Sequence, residues 1–160
     1  MAVQFCSLIR KTDQIIPRSS YTLVRFPFGS YESFDNKGMH NVRQPDGYQI
    51  TSWDNDERSS LIWPHRRGLG RITATAQFES GNYSEIRIQL IRDPLNLSTG
   101  PDTTGTVHYP PSPGIQCFPL SWEIVVNPGT PLGIRVWHNA TSPKKLVLSQ
   151  FKLSIFDLDE

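Results

Sequence analysis

Apolar and polar residues alternate in short stretches from one end of the chain to the other, the period-two signature of half-buried strands. The clearest stretch is Arg71 to Phe78, where Ile72, Ala74, Ala76 and Phe78 alternate with Arg71, Thr73, Thr75 and Gln77. Ile86, Ile88 and Leu90 alternate with Arg87 and Gln89, and Leu120, Trp122 and Ile124 with Ser121 and Glu123. Ile134 and Val136 alternate with Arg135 and Trp137, and Phe151, Leu153 and Ile155 with Lys152 and Ser154. Val3, Phe5 and Ile9 mark a first strand; Tyr21 to Phe28 predicts a second, with Val24, Phe26 and Phe28 on one face. Leu61, Ile62 and Trp63 form a short apolar run that Pro64 ends. No stretch holds a helical period of 3.6 over ten residues or more.

Turn chemistry separates these runs, at Gln44 to Gly47, Glu79 to Asn82, Asn127 to Gly129 and Ser142-Pro143. Two segments read as loops. Residues 30–58 are anchored to the core through Trp53, and residues 96–114 are rich in Thr, Pro and Gly with a short apolar stretch at Val107 to Tyr109. This is the pattern of an all-β antiparallel sandwich or jelly roll. Residues 1–20 form an amino-terminal arm or first strand, and residues 21–160 the jelly-roll domain.

Composition agrees with that class. The chain has 160 residues, 37% of them hydrophobic, with 13 Pro and 11 Gly to punctuate strands. A formal charge of +1 provides no overall attraction to nucleic acid or anionic membrane. No apolar run approaches the roughly 20 residues of a membrane span, and the start lacks the order of a signal peptide, so synthesis in the cytoplasm is expected. The charge is uneven: Arg10, Lys11, Arg18 and Arg25 lie near the start, while Asp157, Asp159 and Glu160 close the chain.

Catalytic chemistry has no visible foothold. His40, His65, His108 and His138 are scattered, and Cys6 and Cys117 have no metal-ligand spacing; buried free thiols are expected. Asp54 to Glu57 lacks the cadence of a calcium loop. Gly68-Leu69-Gly70 is too short to cradle phosphate and opens a strand instead of a helix. Pro64-His65-Arg66-Arg67 is the densest cationic run and reads as a solvated turn. The expectation is a structural or binding module, with no enzymatic activity, cofactor or metal.

Several short motifs follow one another at family spacing: Phe34-Asp35, Gly38-Met39, Leu61-Ile62-Trp63-Pro64, and the Gly-led strand from Gly68 to Phe78. A closing stretch runs from Ser149-Gln150-Phe151 to Leu158. In this order the chain resembles the jelly roll of tumour necrosis factor and of the complement globular heads, most closely the version in virion proteins of tailed phages. It departs from that pattern at Gly70, where the family usually has Tyr, and at Asn127-Pro128-Gly129-Thr130, where an Ala-Gly-Asp turn is common.

The resemblance implies a homotrimer with one sheet of each protomer facing the axis. Val125, Trp137 and Phe156 lie opposite the alternating core positions and are the expected trimer-interface residues. It further implies a structural protein of the virion surface: a bacteriophage capsid decoration protein that cements the major capsid protein. Docking on the shell is assigned to Val3, Phe5, Leu8, Arg10, Lys11 and Arg18. The alternative is a minor tail or fibre head that binds host-surface saccharide or protein; the lack of a stalk favours decoration. A cellular carbohydrate-binding or cytokine-like jelly roll is a third class, disfavoured in its secreted form by the missing signal peptide.

Overall fold

The computed structural model describes residues 3–29, 34–109 and 116–158. Its strands are β1 (Gln4–Arg10), β2 (Gln14–Ile16), β3 (Thr22–Leu23), β4 (Phe34–Asp35), β5 (Gly68–Phe78), β6 (Ile86–Arg92), β7 (Asp102–Tyr109), β8 (Gln116–Val126), β9 (Leu132–His138) and β10 (Lys144–Phe156). One sheet runs β4-β1-β10-β5-β8, with β2 added alongside β10; the other runs β3-β9-β6-β7. All pairings are antiparallel, and the two sheets pack as a jelly-roll sandwich. Among the described residues no helix is long and apolar enough to cross a membrane.

The core follows from the alternation. Ile72, Ala74, Ala76 and Phe78 of β5 face inward, towards Ile86, Ile88 and Leu90 of β6 and Ile134 and Val136 of β9. Small and large residues interlock. Phe151 of β10 stands between Leu8 and Ala74 in the ladder, and its ring meets Phe26 at 6.2 Å between centroids. The methyl group of Ala74 leaves the room that the Phe151 ring fills.

Gly70 answers the departure noted in the sequence. A Cβ there would come within 2.6 Å of Val126 and 3.2 Å of the Ile124 carbonyl. A Tyr side chain has no space at this inward position, where the side chains of Val126 and Leu153 already fill the room.

Three expectations need revision. Of Tyr21 to Phe28, only Thr22–Leu23 joins a ladder, against β9. Val24 and Phe26 remain fully buried, but their amides bond Ile134 and then Ser59, and Pro27 has no amide to continue. The run at Leu61 to Trp63 is buried, yet pairs through a single bridge, Ile62 with Leu132. Residues 102–109 form β7, an edge strand whose pairing with β6 comes from the backbone, and the sequence hid it because it carries no apolar alternation.

The amino-terminal segment is the first strand and not a strap. β1 pairs with β10 over seven consecutive residues and with β4 on its other side. Leu8 is fully buried and Arg10 is 1% exposed, which withdraws both as docking residues. Arg10 is held from all sides. Its Nε donates to the Thr12 carbonyl at 2.9 Å, and Nη2 to the Asp13 carbonyl at 2.7 Å. Its Nη1 reaches the Arg25 carbonyl at 3.2 Å and Asp54 at 2.8 Å, while Trp53 covers the guanidinium at 4.9 Å. Trp53 thus anchors its loop by capping a buried cation. Gln14 extends the network: its amide donates to the Leu23 carbonyl at 2.8 Å and its oxygen accepts from the Arg25 amide at 3.1 Å.

His138 is the second polar group locked inside. Its Nδ1 accepts the Ala140 amide at 3.1 Å, so Nε2 carries the proton and donates to the Ile16 carbonyl at 2.9 Å. Burial pushes its pKa below the ordinary 6.5, the Ile16 bond opposes this, and Lys144 and Arg18 add to the lowering.

Two outcomes are expected. Arg10→Ala removes the donors to the carbonyls of Thr12, Asp13 and Arg25 and a partner of Asp54, and leaves the space of a large buried side chain empty. It should cost about 3–5 kcal/mol in a urea unfolding titration, whereas a loss below about 1 kcal/mol would mean that the network is ornamental. For His138 the folded pKa lies below the unfolded one, so the unfolded chain binds the proton more readily. Its contribution is complete above pH 6.5 and is lost as pH falls through the folded value, at about 1.4 kcal/mol per unit of separation. Thermal melts between pH 7.5 and 5 should fall more steeply for the wild type than for His138→Gln; equal slopes would refute this role.

Candidate functional site

With one face of each sheet committed to the core, function falls to the two outer faces and the sandwich edges. On the six-stranded sheet the register aligns the outward residues in rows. Phe156, Leu69 and Val125 form one row across β10, β5 and β8. The next row holds Phe5, Ser154, Arg71 and Glu123. Phe34 of β4 stacks on Phe5 with centroids 5.9 Å apart. The guanidinium of Arg71 lies 5.4 Å from the Phe156 ring and pairs with Glu123 at 3.1 Å. Both charged side chains are half exposed, so the pair contributes little to stability and leaves the face accessible. The apolar part of this outer face is confined to that end; the following row, Lys152-Thr73-Ser121, is polar.

Trp122 is a separate feature. Its ladder partner is the buried Ile72, which places it on the core side of the sheet, yet it is 41% exposed because β8 is an edge strand. The alternation marked it as core; the position of its strand exposes it.

Val125 and Phe156 therefore share a face, while Trp137 stands on the outer face of the other sheet and cannot join them in one patch. Of the docking candidates, Val3, Lys11 and Arg18 are exposed and Phe5 is half-buried beneath Phe34. Asp159 and Glu160 lie outside the described residues, and Asp157 pairs with Arg66. Neither cysteine forms a disulfide; Cys6 is buried as expected, but Cys117 is exposed on the outer side of β8. Asp93 is fully buried at the end of β6. Burial alone would raise its pKa, but bonds from the amides of Leu97, Ser98 and Gly100 outweigh burial and hold it below the ordinary value. This carboxylate organises the loop that follows β6.

The outer face of the four-stranded sheet carries the densest polar arrangement. The ladder sets Arg87 beside Trp137 and Gln89 beside Arg135. The Arg87 guanidinium lies 4.0 Å from the Trp137 ring, and that of Arg135 4.2 Å from the Tyr21 ring. Tyr21 and Trp137 are 6.4 Å apart, inclined by 40°. The Tyr21 hydroxyl accepts from Arg87 at 3.0 Å and from Gln89 at 3.3 Å, and Arg135 donates to Gln89 at 2.6 Å. Bonds to Glu85 and then to Tyr21 raise the pKa of Arg87. Burial lowers that of Arg135, with Tyr21 offsetting part of it. Sequence reasoning saw Arg87, Gln89 and Arg135 only as the polar half of two strands. Their convergence depends on β6 and β9 being neighbours in this register.

No protein-family model and no curated protein matches the chain. Solved structures do. The globular domain of the zebrafish complement 1qA protein aligns with a TM-score of 0.60 and 13% identity, covering 98% of each chain. Murine APRIL aligns with TM-scores of 0.66 and 0.61 in two crystal structures, at 8% and 10% identity, covering 97% and 96% of this chain and 100% of each of those. At such identities the likeness shows the fold: the chain is an antiparallel jelly-roll sandwich of the tumour-necrosis-factor and complement-head kind.

Proposed function

We propose that this protein is a non-enzymatic, trimeric structural protein of a tailed-phage virion, acting as a decoration protein on the capsid. The observation that carries the trimer is the apolar row Phe156-Leu69-Val125 on the outer face of the six-stranded sheet, flanked by Phe5 and Phe34. A face of this kind, left open, is an association surface. Trp122 provides a second apolar contact at the sandwich edge, differently oriented from the first. Joining a face to an edge makes a heterologous contact, and heterologous contacts that close form rings. Threefold closure is what the resemblance to tumour-necrosis-factor-like virion proteins implies. The capsid role rests on the same resemblance. With Leu8 and Arg10 in the core and Phe5 on the association face, contact with the major capsid protein falls to the exposed Val3, Lys11 and Arg18, the two cations paired with acidic shell residues. Many equivalent sites on a shell make weak individual contacts sufficient.

A second reading, a tail or fibre head that binds host-surface saccharide or protein, is favoured by the arginine and aromatic cluster on the opposite sheet. Copy number separates the two: decoration requires amounts comparable to the major capsid protein, and a tail head only a few trimers per particle. Quantitative mass spectrometry of purified particles reads this directly, and a handful of copies would rule out decoration.

For the trimer, light scattering at tens of micromolar should return about three times the 18.2 kDa protomer mass. Val125→Glu should shift the protein to monomer with its melting behaviour otherwise cooperative. A wild-type monomer under these conditions would overturn the proposal.

A further inference from the structure

We propose that the outer face of the four-stranded sheet binds a carboxylate-bearing sugar residue, with Arg135 taking the carboxylate and Tyr21 and Trp137 flanking the ring. The inference does not depend on the trimer or on a place in the particle, since all its residues belong to one protomer.

Charge balance is the first argument. Arg87 is paired with Glu85 at 2.9 Å, and those two charges cancel. Arg135 has no carboxylate within 4 Å among the described residues, and the bond from its Nε to Gln89 leaves its two terminal nitrogens without a described partner. A half-buried guanidinium with two unspent donors is matched by a planar, two-oxygen anion. Partial burial has already removed water from Arg135, so part of the desolvation cost of binding is met in the free protein.

Preorganisation is the second. Arg135 is fixed between the Tyr21 ring at 4.2 Å and Gln89 at 2.6 Å, and Gln89 is itself bonded to the Tyr21 hydroxyl at 3.3 Å. The other side of Tyr21 is held by Arg87, which also stacks on Trp137. No side chain in this chain of contacts is free to swing away when a ligand arrives.

The ligand class follows from shape and charge together. One uncompensated cation suits one anionic group; a nucleic acid or other polyanion needs a track of them. The site is an open sheet face and not an enclosed cavity, so it suits the terminal unit of a larger molecule and not a small ligand that must be engulfed. Where the guanidinium groups do not cover them, the exposed Tyr21 and half-buried Trp137 offer apolar ring surface with polar edges, which fits the C–H face and hydroxyl rim of a pyranose. A uronic acid or a sialic acid supplies both the carboxylate and the ring.

The test follows the indole N–H resonances of the 4 tryptophans in an isotope-labelled wild-type protein, with Trp137→Phe identifying the relevant one. Methyl glucuronide and the methyl glycoside of N-acetylneuraminic acid are titrated separately, which distinguishes the two acidic sugars. Methyl glucoside, acetate and a glutamate-rich peptide are the comparisons. The expected result is a saturable shift of the Trp137 resonance with one acidic glycoside, at a Kd on the order of 1 mM. Affinity should fall at least tenfold in Arg135→Gln and recover in part in Arg135→Lys, with melting temperature measured for both. If Arg135→Gln does not fold, the wild-type comparison alone decides. Absence of saturation with both acidic glycosides, equal binding of methyl glucoside or acetate, or tighter binding of the peptide would each overturn the proposal, whatever light scattering says about the trimer.

Discussion

The long final strand, β10, depends on receiving a neighbour on each side, and the rest of the sandwich is arranged around that requirement. It lies between β1 and β5, pairing with β1 over its carboxyl-terminal half and with β5 along almost its whole length, while β2 takes up its beginning. A central strand without a partner would expose a row of buried amides and carbonyls, each costly to leave unbonded. The first residues of the chain must therefore return to the last. Arg10 fixes this closure at the end of β1, where the chain turns towards β2 and the segment leading to Phe26.

That closure decides which surfaces are free. β1, β10, β5 and β8 present one continuous outer face, apolar along Phe156-Leu69-Val125 and interrupted by Arg71 and Glu123. β9 and β6 present a face of opposite character, in which two guanidinium groups stack on two aromatic rings. The apolar row is the surface proposed for another copy of the chain, and the polar face the one proposed for a ligand. They lie on opposite sides of the sandwich, so one protomer can use both at once.

The internal polar groups are of a different kind. Arg10, Gln14, His138 and Asp93 are buried, and each is satisfied mainly by backbone atoms of loops or of the short strands β2 and β3. They do in the loops what strand pairing does in the sheets. Perturbed acid-base behaviour at His138 and Asp93 is a consequence of that structural duty, and neither group opens onto a surface where a reaction could use it.

The sequence by itself determined the class of fold and most of its strands, because burial of one sheet face forces a period of two wherever a strand crosses the core. Ile72 to Phe78, Ile86 to Leu90 and Phe151 to Ile155 declare themselves in this way. Edge strands escape the rule. β7 is ordered by main-chain bonds, and Trp122 follows the core pattern yet meets solvent because β8 is the edge strand of its sheet. Only the tertiary structure decided which outward residues meet, since alternation gives a residue's side of its own strand and carries no information about the neighbouring strand. Val125 and Trp137 look equivalent along the chain and lie on different sheets; Arg10 reads as a surface cation and is enclosed by the carbonyls of Thr12, Asp13 and Arg25, from two later segments. Register and strand order arise from contacts between residues distant in the chain, and it is there that the apolar row and the arginine cluster were made.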